Sequence, residues 1–334
     1  MVQHQFSSLL SEYPSDAILR ELMKTVESFG MLKGSILTSE YRELFSDILT
    51  IRSLYYYQAL NRNDITCKEI LLALHANDNN DIYTYAYVYQ QCREYARTLK
   101  GKQDLILPTD FVRINEAIKC QDTSVLSDMD FFKTHEKVAQ HQSNKLKLLY
   151  EESLSKFLNI SVANIPFVQS DDTMELGALE LMYGAFINEQ ESSFYIPLCL
   201  SKWEIINDCD TICNSDESIE KTIINMLAYF HFEFNYMAAL VSELNIAIYS
   251  LNSQLAEVLS KIHSNRLTAL LSNSLCFRYS DFISALGITY KTAIDYLMQL
   301  ESHGFISNTR IGREKVFTND HLFSLLREVE SDGS

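Results

Sequence analysis

The sequence predicts a mainly α-helical protein: a long helical body, then a short C-terminal region of three helices and one β-hairpin. Three observations predict it. Only nine glycines and four prolines punctuate 334 residues, so few positions interrupt a helix. Apolar residues recur at three- and four-residue spacing almost everywhere before Ile262, the period of helices with one buried face. From Ile262 on the period changes, and glycines stand where short helices close. With 47% hydrophobic and 22% charged residues, the chain can bury a large core and is expected to divide into two or three domains.

The first helix is expected over Ala17 to Gly30, with Ser15 before it as the cap. Ser39 to Ala59 and Thr66 to His75 follow with the same period, and Ile219 to Ser260 reads as helix with one or more breaks. Asn77 to Asp81 is polar and turn-prone. Tyr83, Tyr85, Tyr87 and Tyr89 then alternate, a pattern open to a strand or a base-stacking surface. No basic residues accompany them, so a half-buried structural segment without function is expected.

In the C-terminal region Leu267 to Leu271 belongs to the first helix. Ser280 is placed to cap Asp281 to Leu286, and Gly287 closes that helix. The turn Gly287-Ile288-Thr289 leads into Tyr290 to Ser302, whose Ala293, Ile294, Leu297 and Leu300 share one face and which stops at Gly304. Its outward side carries Lys291, Asp295 and Gln299. Phe305 to Ser307 and Lys315 to Thr318 read as strands, with Arg310-Ile311-Gly312-Arg313 as a basic hairpin tip. This is the pattern of a winged helix-turn-helix. In such a module the helix enters the major groove and wing cations meet phosphates, which makes Lys291, Arg310, Arg313 and Lys315 the candidate nucleic-acid contacts. Winged helices also dock proteins or dimerise, so a protein partner, DNA and a homodimer all remain open.

Net charge is -16, and its distribution bears on these partners. Between Ile262 and Arg327, Arg266, Arg278, Lys291, Arg310, Arg313, Lys315 and Arg327 face Asp281, Asp295, Glu301, Glu314 and Asp320. Nearly all the negative charge therefore lies before this region, where it repels nucleic acid. Seven cysteines, 67, 92, 120, 199, 209, 213 and 276, stand singly, with no CxxC pair and no histidines at zinc-finger spacing. Reduced buried thiols are expected, and no metal or cofactor is assigned. No run of about 18 apolar residues predicts a membrane span. Met1 to Leu10 lacks the basic-then-apolar layout of a signal peptide, so a cytoplasmic location is expected. His231, in Phe230-His231-Phe232-Glu233-Phe234, and Trp203 read as core residues.

Arg278-Tyr279-Ser280-Asp281-Phe282, Thr289 through Leu297, and Ile311-Gly312-Arg313-Glu314-Lys315-Val316-Phe317 resemble the winged helix that ends many bacterial Fic proteins. Ser35-Ile36-Leu37-Thr38, Glu43-Leu44-Phe45 and Tyr57-Gln58-Ala59-Leu60 are similar to that family's N-terminal region. The resemblance implies a Fic-type N-terminal helical region over 1–76, a degenerate Fic-like helical core over 77–260 and a winged helix-turn-helix over 261–334. Members of the family use an HPFxxGNGR-like motif to move AMP from ATP onto a protein hydroxyl. No His-Pro pair occurs in this chain.

The segment that matches by position is Ile165-Pro166-Phe167-Val168-Gln169-Ser170-Asp171-Asp172-Thr173, with Tyr195 to Ser201 resembling the family's next segment. On that match Ile165 replaces the base, Gln169 the magnesium carboxylate, Ser170 and Asp172 the phosphate-cradling glycines and Thr173 the arginine, while Pro166 and Phe167 persist. Asp171 and Asp172 would repel a triphosphate. The family's inhibitory segment would fall at Phe29, Lys33 and Gly34, where only the glycine is kept. The expectation is a catalytically inactive Fic-like protein that binds and regulates through its helical body and winged helix. The alternatives are an active protein adenylyltransferase with substitute residues, using Asp171 or Asp172 at a metal, and a winged-helix transcription regulator unrelated to Fic chemistry.

Overall fold

A computed structural model describes residues 15–60, 65–75, 81–99, 108–128, 157, 216–311 and 313–332. The protein is mainly α-helical, with one small antiparallel sheet near the C-terminus. In chain order the described elements are α1 (Asp16–Thr38), α2 (Arg42–Leu60), α3 (Cys67–His75), α4 (Asp81–Leu99), α5 (Pro108–Cys120) and a 3-10 turn (Thr123–Leu126). Then come α6 (Asp216–Val258), α7 (Asn265–Ser272), β1 (Cys276–Arg278), α8 (Tyr279–Leu286), α9 (Tyr290–Ser302), β2 (Ile306–Ile311), β3 (Glu314–Asn319) and α10 (Asp320–Asp332). They form two compact units. One holds Met1–Gly34, Tyr56–Asn63 and Tyr87–Ala238, the other Ser35–Tyr55, Asp64–Ala86 and Ala239–Ser334.

In the first unit α1 starts where Ser15 predicts it: the Ser15 hydroxyl accepts from the Ile18 amide at 3.3 Å. Ile18, Leu22, Thr25, Ser28 and Leu32 form its buried stripe. The helix does not stop at Gly30 as expected, because burial continues through Leu32 and Ile36. That burial outweighs the cost of about 1 kcal/mol for each of Gly30 and Gly34 inside a helix. Thr25 donates to the Leu227 carbonyl at 2.8 Å, and the Phe29 ring packs edge-on against Phe157 and tilted against Phe234, each at 5.1 Å. α4 contains the tyrosine run, which is helical. Tyr89 is buried and Tyr87 exposed, because residues two apart on a helix point nearly opposite ways. α5 ends against the 3-10 turn, where Arg113 donates to the Leu126 and Asp128 carbonyls, each at 2.8 Å.

α6 has 43 residues and no break, against the expectation of one or more. It contains neither glycine nor proline, so its backbone hydrogen bonds run uninterrupted. In the second unit its Leu251 and Leu255 share a core with Leu259, Ile262, Leu267, Leu271, Phe277, Phe282, Leu297, Leu300, Phe305 and Phe317. That core therefore begins upstream of residue 261. Also in this unit, Thr66 and Glu69 cap α3 reciprocally: the Glu69 amide reaches Thr66 Oγ1 at 3.2 Å, and the Thr66 amide reaches Glu69 Oε2 at 2.8 Å.

The sheet has the order β1-β3-β2, antiparallel throughout. β1 was not expected from the sequence; three residues show too little alternation, and the strand exists through its pairing with β3, Phe277 opposite Phe317. α10 closes the chain, with the buried Asn319 side chain accepting from the Leu322 amide at 3.3 Å and donating to the Leu271 carbonyl at 2.7 Å.

Candidate nucleic-acid interface

The C-terminal helices are set by caps and glycines. Ser264 Oγ accepts from the Leu267 amide at 3.3 Å and starts α7. α8 starts two residues earlier than expected, and Ser280 is not its cap. Arg278 holds that place, its amide donating to the Asp281 carboxylate at 2.8 Å, because β1 runs straight into the helix. Gly287 ends α8 at φ 67, in the left-handed region that only glycine enters freely. After the turn, Thr289 Oγ1 accepts from the Thr292 amide at 3.3 Å and starts α9. α9 closes at Gly304, φ 74, with the Phe305 amide on the Leu300 carbonyl at 3.0 Å and the Gly304 amide on the Glu301 carbonyl at 3.1 Å. These two bonds and the burial of both Leu300 and Phe305 form a Schellman motif.

α9 thus has the bounds the sequence predicts. Ala293, Leu297 and Leu300 are buried and Ile294 half-buried, while Lys291 and Asp295 are exposed and Gln299 is half-exposed. The Gln299 side chain bonds back to the Asp295 carbonyl at 3.3 Å. Tyr290 and Met298 are also exposed, at 60% and 54%. The sequence reading did not single out either residue, although their i, i+8 spacing about Ile294 was visible in it.

The hairpin differs from the expected one. Arg310 and Ile311 belong to β2 and pair with Lys315 and Glu314, so β2 extends to Ile311 and β3 begins at Glu314. Arg310 is therefore a strand residue and not part of the tip; pairing extends outward because side chains at 310, 311, 314 and 315 fit the pleat without a bend. Arg310, Arg313 and Lys315 are all exposed.

Aromatic contacts fix the hairpin relative to α9. The Tyr279 ring lies 5.6 Å from Tyr290 and 5.0 Å edge-on from Phe317, and Asn308 donates to the Glu301 carboxylate of α9. Side chains two apart on a strand share a face. Lys315 shares the face of Phe317, and Arg310 that of Asn308, so both cations continue the side of the hairpin that meets α9. Burial pushes the Tyr279 hydroxyl above its ordinary value, with Tyr290 and Glu301 adding to it.

None of the four predicted cations, Lys291, Arg310, Arg313 and Lys315, makes a side-chain hydrogen bond or ion pair with a described residue. Two other arginines of this region are engaged: Arg278 pairs with Glu314 at 3.3 Å, and Arg266 donates to the Leu286 carbonyl at 3.2 Å.

The positions matched to the Fic motif, Ile165, Pro166, Phe167, Gln169, Ser170, Asp171, Asp172 and Thr173, lie outside the described residues, as do Tyr195 to Ser201, Trp203, Cys199, Cys209 and Cys213. Phe29, at the start of the matched inhibitory segment, packs on aromatic rings in α1. His231 is held on both ring nitrogens. Its Nδ1 lies 2.5 Å from Ser28 Oγ and 3.2 Å from the Lys24 carbonyl, and its Nε2 lies 3.3 Å from the Asn235 amide. Ser28 also donates to the Lys24 carbonyl at 2.8 Å, so its proton is already used and the pair is structural. Among the described residues no three His, Cys, Asp or Glu side chains are grouped to hold a metal, and no helix is long and apolar enough to cross a membrane. The chain matches no protein-family model, and no curated protein matches it.

Proposed function

We propose that the chain is a non-catalytic regulatory protein whose C-terminal region is a winged helix-turn-helix engaging duplex DNA, carried on a Fic-like helical body that lacks transfer chemistry. The observation that supports DNA engagement is the placement of four exposed cations whose side chains are unengaged among the described residues: Lys291 in the first turn of α9, and Arg310, Arg313 and Lys315 at the outer end of the hairpin. The order helix, strand, helix, helix, hairpin supports the winged-helix reading. The Fic-like part rests on the sequence resemblance, in which Ile165, Gln169 and Thr173 supply neither base, metal ligand nor phosphate cation.

Four phosphate contacts predict a slope of about −3.6 in log affinity against log salt, or about a 150-fold loss between 50 and 200 mM. The test is fluorescence anisotropy of labelled random-sequence duplex across that range, with calorimetry of ATP and magnesium alongside. Saturable, salt-steep binding and no heat from ATP support the proposal. Absence of duplex binding at 50 mM salt rejects the DNA part and favours a protein partner; ATP binding followed by transfer of label to protein rejects the non-catalytic part.

A further inference from the structure

Resting on the DNA reading above, we infer that α9 reads thymine methyl groups through an apolar stripe of Tyr290, Ile294 and Met298. These residues stand at i, i+4 and i+8, one face of a helix. Tyr290 and Met298 are 60% and 54% exposed and Ile294 is half-buried, so the stripe is open along its length. Eight residues of helix rise about 12 Å, enough to pass three or four base pairs at about 3.4 Å each.

The chemistry of this edge suits base edges and does not suit phosphates. Tyr290 and Met298 present carbon and sulfur surface, and the thymine C5 methyl is the one apolar group on the major-groove floor. Asp295, exposed beside Ile294, accepts hydrogen bonds only; it repels phosphate and can accept a hydrogen bond from a cytosine amino group. Phosphate attraction is left to the flanks, where Lys291 lies at one end of the stripe and Arg310 and Lys315 lie on the hairpin face that meets α9. An apolar stripe and cations on one module suit a duplex, where phosphates border a methyl-bearing groove. Tyr279, whose ring packs at a tilt against Tyr290, holds that side chain in place and reduces the ordering needed on binding.

The test begins with selection of tightly bound duplexes from a random pool by the full chain at low salt. The best sequence is then remade with uracil in place of thymine, which removes the methyl groups and changes no hydrogen bond. Each methyl read is worth about fourfold in affinity, so the uracil duplex binds at least several-fold more weakly, and Met298→Ala narrows the gap. Equal affinity for thymine and uracil duplexes overturns the inference and leaves the DNA reading standing. Met298→Ala binding both duplexes like the unaltered chain also overturns it, since the stripe then faces something other than the groove. Failure of any duplex to bind overturns the DNA reading itself.

Discussion

Arg310 on β2 and Lys315 on β3 are direct cross-strand partners, so two cations stand side by side on one face of the hairpin. Like charges in that relation weaken a hairpin, and opposite charges strengthen it, by about 0.2 to 1 kcal/mol. An anion placed between them is held by both. Fold and binding therefore make opposite demands on position 315. Lys315→Glu is expected to raise stability slightly, by about 0.5 kcal/mol in urea unfolding, while duplex affinity at 50 mM salt falls by at least tenfold and the salt slope shrinks by about 1 or more. Loss of both stability and binding would show that Lys315 serves the fold.

The glycines divide into two kinds, and alanine substitution separates them. Gly287 and Gly304 have φ of 67 and 74, where a side chain costs about 1–2 kcal/mol. At Gly287 an added Cβ also comes within 3.0 Å of Arg266 Nη1, the atom that bonds the Leu286 carbonyl. Gly287→Ala is expected to cost about 2 kcal/mol and Gly304→Ala about 1. Gly30 and Gly34 lie inside α1 with open space where a Cβ would stand, so alanine at either is expected to gain up to about 1 kcal/mol. Urea midpoints at unchanged slope check all four.

The same residues show what the sequence made legible. Gly287, Thr289 and Gly304 are local signals, each needing only its own backbone angle or one short hydrogen bond, and they placed α9 correctly along with Lys291. β1 and the outer pairs of the hairpin are not local. Cys276 to Arg278 become a strand because Val316 to Thr318 pair with them, and Arg310 leaves the turn because Lys315 pairs with it. Tyr83 to Tyr89 left helix and strand undecided: tyrosine tolerates both sides of a boundary, so its alternation carried no information about which side was wet. The stripe of Tyr290 and Met298 was readable by spacing, but only exposure distinguishes it from a second core face.

Burial also decides which thiols react. Cys67, Cys92 and Cys276 are buried, and burial pushes the Cys92 thiol up to about 12 and, with Asp47 adding to it, the Cys276 thiol up to about 12. Cys120 is exposed at the end of α5, its thiol 3.8 Å from the Glu116 carboxylate; partial desolvation and that carboxylate raise its pKa too. Thiolate is the reactive form. Alkylation of the folded protein at pH 8, read by mass mapping of the labelled peptides, is expected to modify Cys120 slowly and the other three only after unfolding. Rapid labelling of Cys276 would contradict the packing of β1 against the rest of its sheet.

Tyr95 gives the first unit a dependence on alkaline pH. Its hydroxyl donates to Asp110 Oδ1 at 2.8 Å, and burial first, then the Asp110 charge and that hydrogen bond, raise its pKa above the ordinary tyrosine value. The folded state therefore holds the proton more tightly than the unfolded chain. A raised folded value contributes stability that is complete below the unfolded pKa of about 10 and is lost as pH climbs through the folded value. Tyr95→Phe removes the bond and is expected to cost about 1 kcal/mol at pH 7. The difference between variant and unaltered chain should hold from pH 7 to 9 and shrink above pH 10, as the unfolded tyrosine begins to ionise in the unaltered chain alone. Urea unfolding at pH 7, 9, 10 and 11, followed by circular dichroism, reads the difference directly. A gap that stays constant to pH 11 would mean that the Tyr95 proton is not what the Asp110 contact depends on.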